Sequence, residues 1–391
     1  MNTLTPNPAA QTAEGNAQES FEGRHFLHAF ASFNAGGVPI RISNVLNHLG
    51  PAVRHTIVAM DGGFAARPHL SPDLNCDLVP VTAEGNLLRT LSLLRAKLRE
   101  SSPDLLLTYN WGAIEWALAN SLGKGYPHLH FESGFGPEEA DGQLTRRVWM
   151  RRMALRRMFA LVVPSHTLED LATQVWRIDR RKVHLIPNGV DCARFARPPV
   201  VGAVPGFAKA ANELIIGTVA PLRPEKNLAR LIQAFAAVAN GHKARLLIVG
   251  DGGERGKLTA LAESLGLAER VIFAGHVERV EEVLGWFDVF AMSSDTEQMP
   301  NSLIQAMAAG LPVAATDVGD VQRIVAEENA PFIVPKYGES SLARALAHLL
   351  EAAPLRAQLG AANRDRARTA YAQDRMFKAY SELYGAALAS G

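Results

Sequence analysis

The sequence predicts an α/β protein made of two doubly wound domains, each a parallel sheet with helices on both faces. Three observations carry that expectation. Short apolar runs alternate with helical stretches along most of the chain. The alternation breaks in a stretch rich in Pro, Gly, Ala and Val over residues 198–212, then restarts. The length of 391 residues, 48% of them apolar, exceeds one ordinary core and suits two of roughly 150–200 residues.

Residues 1–22 are polar, with no basic start and no apolar segment, and read as a disordered tail rather than a secretory signal. The first domain, 23–197, opens with a strand near 24–31, a turn at Gly36-Gly37 and a helix over about 39–48. Strands follow near 56–60, 105–109, 128–131, 161–164 and 183–186, separated by helices such as 87–99, 114–122 and 168–175. After the linker, 198–212, a second domain over 213–371 repeats the pattern: strand 214–218, helix 228–239, strand 245–249, helix 255–265, strand 271–274. The next strand ends at Met292 and leads into a loop carrying Asp295 and Glu297, then a short helix from Asn301. Pro300 sits where a first turn tolerates it, Gly310 where a helix stops, and Pro312 forbids continuation. Leu303, Ile304 and Met307 form its apolar stripe, which leaves Gln305 on another face. Strand 312–316 runs into the turn Val318-Gly319-Asp320, and residues 372–391 hold a last helix.

Composition narrows the function classes. A net charge of +1 is no signature of a nucleic-acid binder. Two distant cysteines, Cys76 and Cys192, argue against a disulfide scaffold or a structural zinc site and suit a reducing cytoplasm. No apolar run approaches the ~18 residues that span a bilayer. There is no Asp-x-Asp pair and no His/Cys cluster at metal spacing, so no required metal ion and no cofactor are expected. The run Gly250-Asp251-Gly252-Gly253 lacks the spacing of a dinucleotide loop, which disfavours an oxidoreductase.

Charged residues gather where such sheets bind ligands, in loops at strand ends. Arg223 and Lys226 follow strand 214–218, and Glu297 follows the strand ending at Met292. Free N–H groups of Asn301, Ser302 and Leu303 would form an anion site behind Pro300, which has none. In the first domain Gly36 and Gly37 would let the backbone approach a ligand closely, or simply make a turn. Asn110 and Trp111 end another strand at the same edge, with Trp111 either core or a platform. Residues 146–157 hold six arginines and no acid, interleaved with Trp149, Met150, Met153 and Leu155. That pattern fits a basic amphipathic helix on anionic lipid, or a charged face over a core stripe.

These motifs resemble glycosyltransferase family 4. The family's acidic motif is a Glu, seven residues and a second Glu; Glu297 matches the first, and Gln305 stands in place of the second. Arg223-Pro-Glu-Lys226 matches its basic pair, and Asn188-Gly189-Val190-Asp191 its interdomain turn. His130 and Glu132 in His-Phe-Glu-Ser-Gly fit its cleft loop, with Ser133 where a second His is expected. The resemblance implies the GT-B architecture, two Rossmann-like domains facing a central cleft, with the last helix crossing back to the first. It implies retaining, metal-independent transfer of a hexosyl group from a nucleoside diphosphate sugar to a hydroxyl of a glycan or lipid-linked acceptor, at the inner membrane face. Arg223 and Lys226 would then hold the diphosphate, Gly250 would lie beneath the nucleotide, Glu297 would hold the sugar and Gln305 the ribose. His130 would be the catalytic imidazole unless it is merely buried, and Asn110, Trp111 and Glu132 would lie on the acceptor side. A neutral Gln305 should bind the nucleotide about 1 kcal/mol less well than a carboxylate. The rival readings are a nucleotide-sugar epimerase of the same fold and a degenerate scaffold subunit.

Overall fold

The computed structural model describes residues 21–82, 85–123, 125–135, 139, 142–337 and 339–391. The expected tail lies outside these residues up to position 20. Its end does not behave as tail: Phe21 is buried edge-on against Phe26 and Tyr384, because an aromatic ring beside an open core gains by covering it.

The chain divides into two compact units, one running to Pro187 and resuming at Met376–Gly391, the other Asn188–Arg375. The first holds a seven-stranded sheet of β1 (His25–Phe30), β2 (Arg54–Ala59), β3 (Cys76–Pro80), β4 (Leu105–Tyr109), β5 (His128–Phe131), β6 (Ala160–Val163) and β7 (Val183–Leu185). Its order is β3-β2-β1-β4-β5-β6-β7, with every neighbour parallel. Helix α1 (Gly37–Leu49) covers one face, and α2 (Leu87–Ser101), α3 (Ile114–Ser121) and α4 (Thr145–Ala154) cover the other. Coverage on both faces explains why β1, β4, β5 and β6 are buried at every position, so that His25, His28, Thr108, His128 and His130 are enclosed along with their apolar neighbours. On the α1 face, the last helix contributes Met376, Phe377, Tyr380, Leu383 and Tyr384 to the core around Phe26 and Phe131.

The second unit repeats the scheme with β8 (Leu214–Val219), β9 (Ala244–Val249), β10 (Val271–Gly275), β11 (Val289–Met292), β12 (Val313–Asp317) and β13 (Ile333–Pro335). These six strands are ordered β10-β9-β8-β11-β12-β13, all parallel. Its principal helices are α5 (Leu228–Ala239), α6 (Arg255–Ser264), α7 (Asn301–Ala308), α8 (Glu339–Glu351) and α9 (Ala353–Ala370), and α10 (Gln373–Ala389) follows. In each sheet the winding direction reverses once, between β1 and β4 and between β8 and β11. Successive loops leave in opposite directions at such a point, which opens a crevice at the carboxyl ends.

Two expectations need correction. The boundary falls at Pro187, ten residues before the expected one, and residues 198–212 are part of the second unit. Val204 is buried, Phe207 packs edge-on against Trp286, and Val200 N–H donates to the Glu282 carbonyl at 2.9 Å. A Pro/Gly-rich stretch with enough apolar side chains to bury is not a free linker. The helix expected over 168–175 is present, as a short α-helix, His166–Asp170, continued by a π-helix, Leu171–Val175. Edge strand β3 and the elements from β13 to α9 had no counterpart in the sequence reading.

Candidate active site

At the reversal in the second sheet, one loop leaves β8 and one leaves β11. The first forms a 3₁₀ turn, Pro224–Lys226, with Pro224 in its first turn, and ends at Asn227. Asn227 adopts φ 42°, and its side-chain oxygen caps α5 by accepting from Arg230 N–H at 3.2 Å. The β11 loop is stitched onto it. Asp295 N–H donates to the Glu225 carbonyl at 2.8 Å, and Ser293 Oγ donates to the carbonyls of Lys226 and Asn227. The Asp295 carboxylate accepts from Asn227 Nδ2 at 3.1 Å and pairs with Arg230 Nη2 at 2.9 Å. These bonds set the distance between the two candidate side chains: Lys226 Nζ donates to Glu297 Oε1 at 2.5 Å. Ser294 Oγ donates to the same oxygen at 2.8 Å. Arg223, in contrast, is exposed, and its guanidinium has no partner among the described residues.

Two glycines let neighbouring loops close on this pair. Gly250, after β9, has φ 137°, and a Cβ there would overlap the Ala220 carbonyl. Gly319, at φ 56°, lies so close to the carbonyl of Glu297 that a side chain would collide with it. Helix α7 begins after the buried Pro300, with no side-chain cap. Its start is pinned by Asn188, whose Nδ2 donates to Asn301 Oδ1 at 2.8 Å and to the Met299 carbonyl at 3.2 Å. The first N–H groups of a helix have no intrahelical acceptor, so those of Asn301, Ser302 and Leu303 are available by geometry. The Leu303 side chain is in the core, and Gln305 is half-buried one turn on.

The first sheet's reversal brings together the ends of β1, β4 and β5, which are neighbours in the order. Gly36 precedes α1 with extended backbone, φ −177°, and a Cβ would meet nothing closer than 3.8 Å, so the fold does not demand a glycine there. Gly37 is exposed. Asn110 holds φ 57° and accepts Ser133 N–H on Oδ1 at 2.8 Å. Ser133 Oγ accepts from Arg41 Nη2 of α1, also at 2.8 Å.

His130 and Glu132 are 0% exposed. His130 Nδ1 lies 2.7 Å from Thr108 Oγ1, and its Nε2 lies 3.9 Å from Glu132 Oε2. Glu132 accepts from Arg151 Nε at 3.3 Å. Arg151 is itself fully buried, pairs with Glu139 at 3.1 Å, and stacks over Trp111, Phe135 and Trp176. Burial alone would raise the Glu139 pKa, but hydrogen bonds and charge from Arg151, with help from Arg147, hold it below the usual carboxylate value. Trp111 is half-buried beneath two guanidiniums, Arg147 at 4.7 Å and Arg151 at 5.1 Å. Three of the six arginines expected on one basic face thus serve the interior: Arg147, Arg151, and Arg152, which donates to the carbonyls of Val175 and Trp176. Arg146, Arg156 and Arg157 remain exposed, with Trp149 and Met153.

Among the described residues no group of three or more His, Cys, Asp or Glu side chains could hold a metal ion, and no helix is long and apolar enough to cross a membrane. Arg223, Lys226 and Glu297 stand out in the sequence; Asn227, Arg230 and Ser294 do not, and Asp295 stands out only as a loop acid without a role. A polar residue three or four positions from a charged one at a strand end was the only available signal for them.

Comparison with known proteins adds three findings. Residues 205–366 match the family described as "Glycosyl transferases group 1", and residues 36–189 match "Glycosyl transferase 4-like domain". EpsF of Bacillus subtilis (strain 168), classed by name as a glycosyltransferase, is 37% identical over 311 residues, which span 75% of this chain and 79% of EpsF. The D-inositol 3-phosphate glycosyltransferase of Stackebrandtia nassauensis is 28% identical over 288 residues, 68% of this chain and 64% of that protein. Among solved structures, a sucrose-phosphate synthase from Thermosynechococcus elongatus superposes with a TM-score of 0.78 at 20% identity, covering 94% of this chain and 100% of that one. HepE of Anabaena in complex with UDP-glucose gives 0.77 at 18% identity, covering 92% and 98%.

Proposed function

The chain belongs to the GT-B glycosyltransferases of family 4, and from that membership we propose that it transfers a hexosyl group from a nucleoside diphosphate sugar to a hydroxyl acceptor with retention of anomeric configuration. The observation that carries this reading is the Arg223, Lys226 and Glu297 constellation at the reversal of the second sheet, with Lys226 and Glu297 2.5 Å apart.

Expulsion of a diphosphate develops negative charge on the leaving oxygens. Arg223, with no partner among the described residues, supplies positive charge to meet it. Lys226 exchanges Glu297 for a phosphate oxygen, which frees the carboxylate to accept from sugar hydroxyls. The N–H groups of Asn301 and Ser302 at the start of α7 add a second electropositive element, and Gln305 meets the ribose. No step calls for a metal ion or a cofactor. The first unit takes the acceptor, a glycan or lipid-linked glycan, near Asn110. The HepE complex supports a uridine donor as the first to try.

The test is UDP release from UDP-glucose in the presence of hydroxyl acceptors, with and without EDTA. Turnover by the wild type that EDTA leaves intact, and that Arg223→Ala lowers by roughly 10²–10³ in kcat, is expected for loss of one charge-stabilising donor. Near-normal turnover of Arg223→Ala would remove the assignment.

The peripheral membrane partner is proposed in narrowed form. Arg146, Arg156 and Arg157, flanking exposed Trp149 and Met153, offer an anionic bilayer both charge and an apolar wedge. Each exposed arginine contributes about 1 kcal/mol near such a surface, so the triple alanine variant should bind phosphatidylglycerol vesicles on the order of 100-fold more weakly. Equal co-sedimentation with neutral and anionic vesicles would refute it.

A further inference from the structure

His130, the expected catalytic imidazole, has no exposed surface; its Nδ1 is hydrogen-bonded with Thr108, and its Nε2, 3.9 Å from Glu132, has no hydrogen-bond partner among the described residues. At the same strand end, the partly exposed polar group that follows it is Ser133, which stands where the resemblance led us to expect a histidine. Ser133 is held from two directions. Its N–H is anchored on Asn110 Oδ1 after β4, and its Oγ accepts from Arg41 Nη2 of α1, each at 2.8 Å. Three elements that leave adjacent strands, β1, β4 and β5, therefore converge on one hydroxyl.

The chemistry of that hydroxyl follows from its partners. A serine Oγ carries one proton and two lone pairs. Arg41, only 6% exposed, occupies a lone pair with a charged donor, which polarises the O–H bond and strengthens it as a donor. No acceptor for the Ser133 proton is present among the described residues. We propose that Ser133 is the residue of the first unit that contacts the acceptor, donating a hydrogen bond to a sugar hydroxyl oxygen, with Arg41 as the positioning residue behind it. This inference rests on the glycosyl-transfer reading and adds which side chain takes the place of the missing imidazole. It carries a signature. A contact built from a hydroxyl and a guanidinium has no group that changes charge between pH 6 and 9, whereas an imidazole at this position would titrate near 6.5.

The experiment measures transfer from UDP-glucose to p-nitrophenyl hexosides between pH 6 and 9. In the wild type the acceptor KM is expected to stay flat across that range. Ser133→Ala should raise it roughly tenfold while the donor KM holds. Arg41→Lys, which keeps the charge but loses the planar fork, should fall between the two. Ser133→His should recover part of the loss and acquire a pH dependence near 6.5. An unchanged acceptor KM in Ser133→Ala overturns the inference, as does a donor KM that rises in step or a wild-type acceptor KM that already titrates. A wild type that transfers to no acceptor overturns the glycosyl-transfer reading and this inference with it. The other failures leave wild-type transfer intact, so the two are separable.

Discussion

Gly250 shows how much of the candidate site depends on the absence of a side chain. Its φ of 137° is strained for any residue with a Cβ, and that atom would strike the carbonyl of Ala220, where the loop bearing Arg223 begins. Gly250→Ala should cost on the order of 3 kcal/mol, read as a lowered midpoint in urea unfolding. It should also weaken donor binding, since the backbone that must give way is the one that presents Arg223. At this scale the sequence was informative about charged residues and silent about what holds them. Arg223, Lys226 and Glu297 could be placed because each follows a strand end. The Asp295–Arg230 pair could not, because it joins positions 65 residues apart that only the sheet order makes neighbours. The burial of His130 was hidden for a related reason. On a strand covered from both faces, side-chain alternation does not distinguish a crevice from the interior.

Helix α4 reads in sequence as a uniformly basic face, and the structure divides its arginines into two kinds. Arg151 is enclosed by Glu132, Glu139 and Gln143, with three aromatic rings around its guanidinium. Arg151→Ala would leave the buried Glu132 without a cation and Glu139 with Arg147 alone, so a loss of about 3–5 kcal/mol is expected in chemical denaturation. Arg146→Ala and Arg156→Ala, on the exposed side, should stay within about 0.5 kcal/mol of the wild type. Charge count along a helix cannot separate these classes, because the acids that select Arg151 lie on other segments. Elements were legible where they were long and buried on a regular period, as in β8 to α6. They were lost where burial is partial: β3 is half-exposed along its length, and β13 has only three residues.

Across the whole first unit, the β1–β2 and β4–β5 strands bury a set of histidines, joined ring to ring at His28 and His55 and through the Thr108 hydroxyl at His128 and His130. His28 Nε2 lies 3.1 Å from His55 Nδ1, and His128 Nε2 lies 2.8 Å from Thr108 Oγ1. Burial, then the neighbouring His25, pushes His55 down to about 3. Burial, then His130, does the same to His128, and His28 is also held well below the ordinary value, by burial first and then by His55 and His25. In the unfolded chain these groups take up protons near 6.5. Below that pH the unfolded state therefore binds more protons than the folded one. Stability is complete above about 6.5 and declines as pH falls toward the folded values, by up to about 1.4 kcal/mol per pH unit for each histidine. Urea unfolding at pH 8, 7, 6 and 5 should show a flat region followed by a steep fall, and a replacement of His128 that still folds should make the fall shallower by one proton. The paired reversals of winding were legible from the alternation of elements alone; this proton balance was not, because it depends on which strands become neighbours. The second unit's crevice holds a charged pair of its own. Lys226 already has Glu297 as its counter-ion at 2.5 Å. A lone inorganic anion that settled on Lys226 would have to evict that carboxylate and leave it with nothing but Ser294. A ligand that brings phosphate for the lysine and hydroxyls for the carboxylate satisfies both at once, so the ion pair works as a two-key lock that a single ion does not turn.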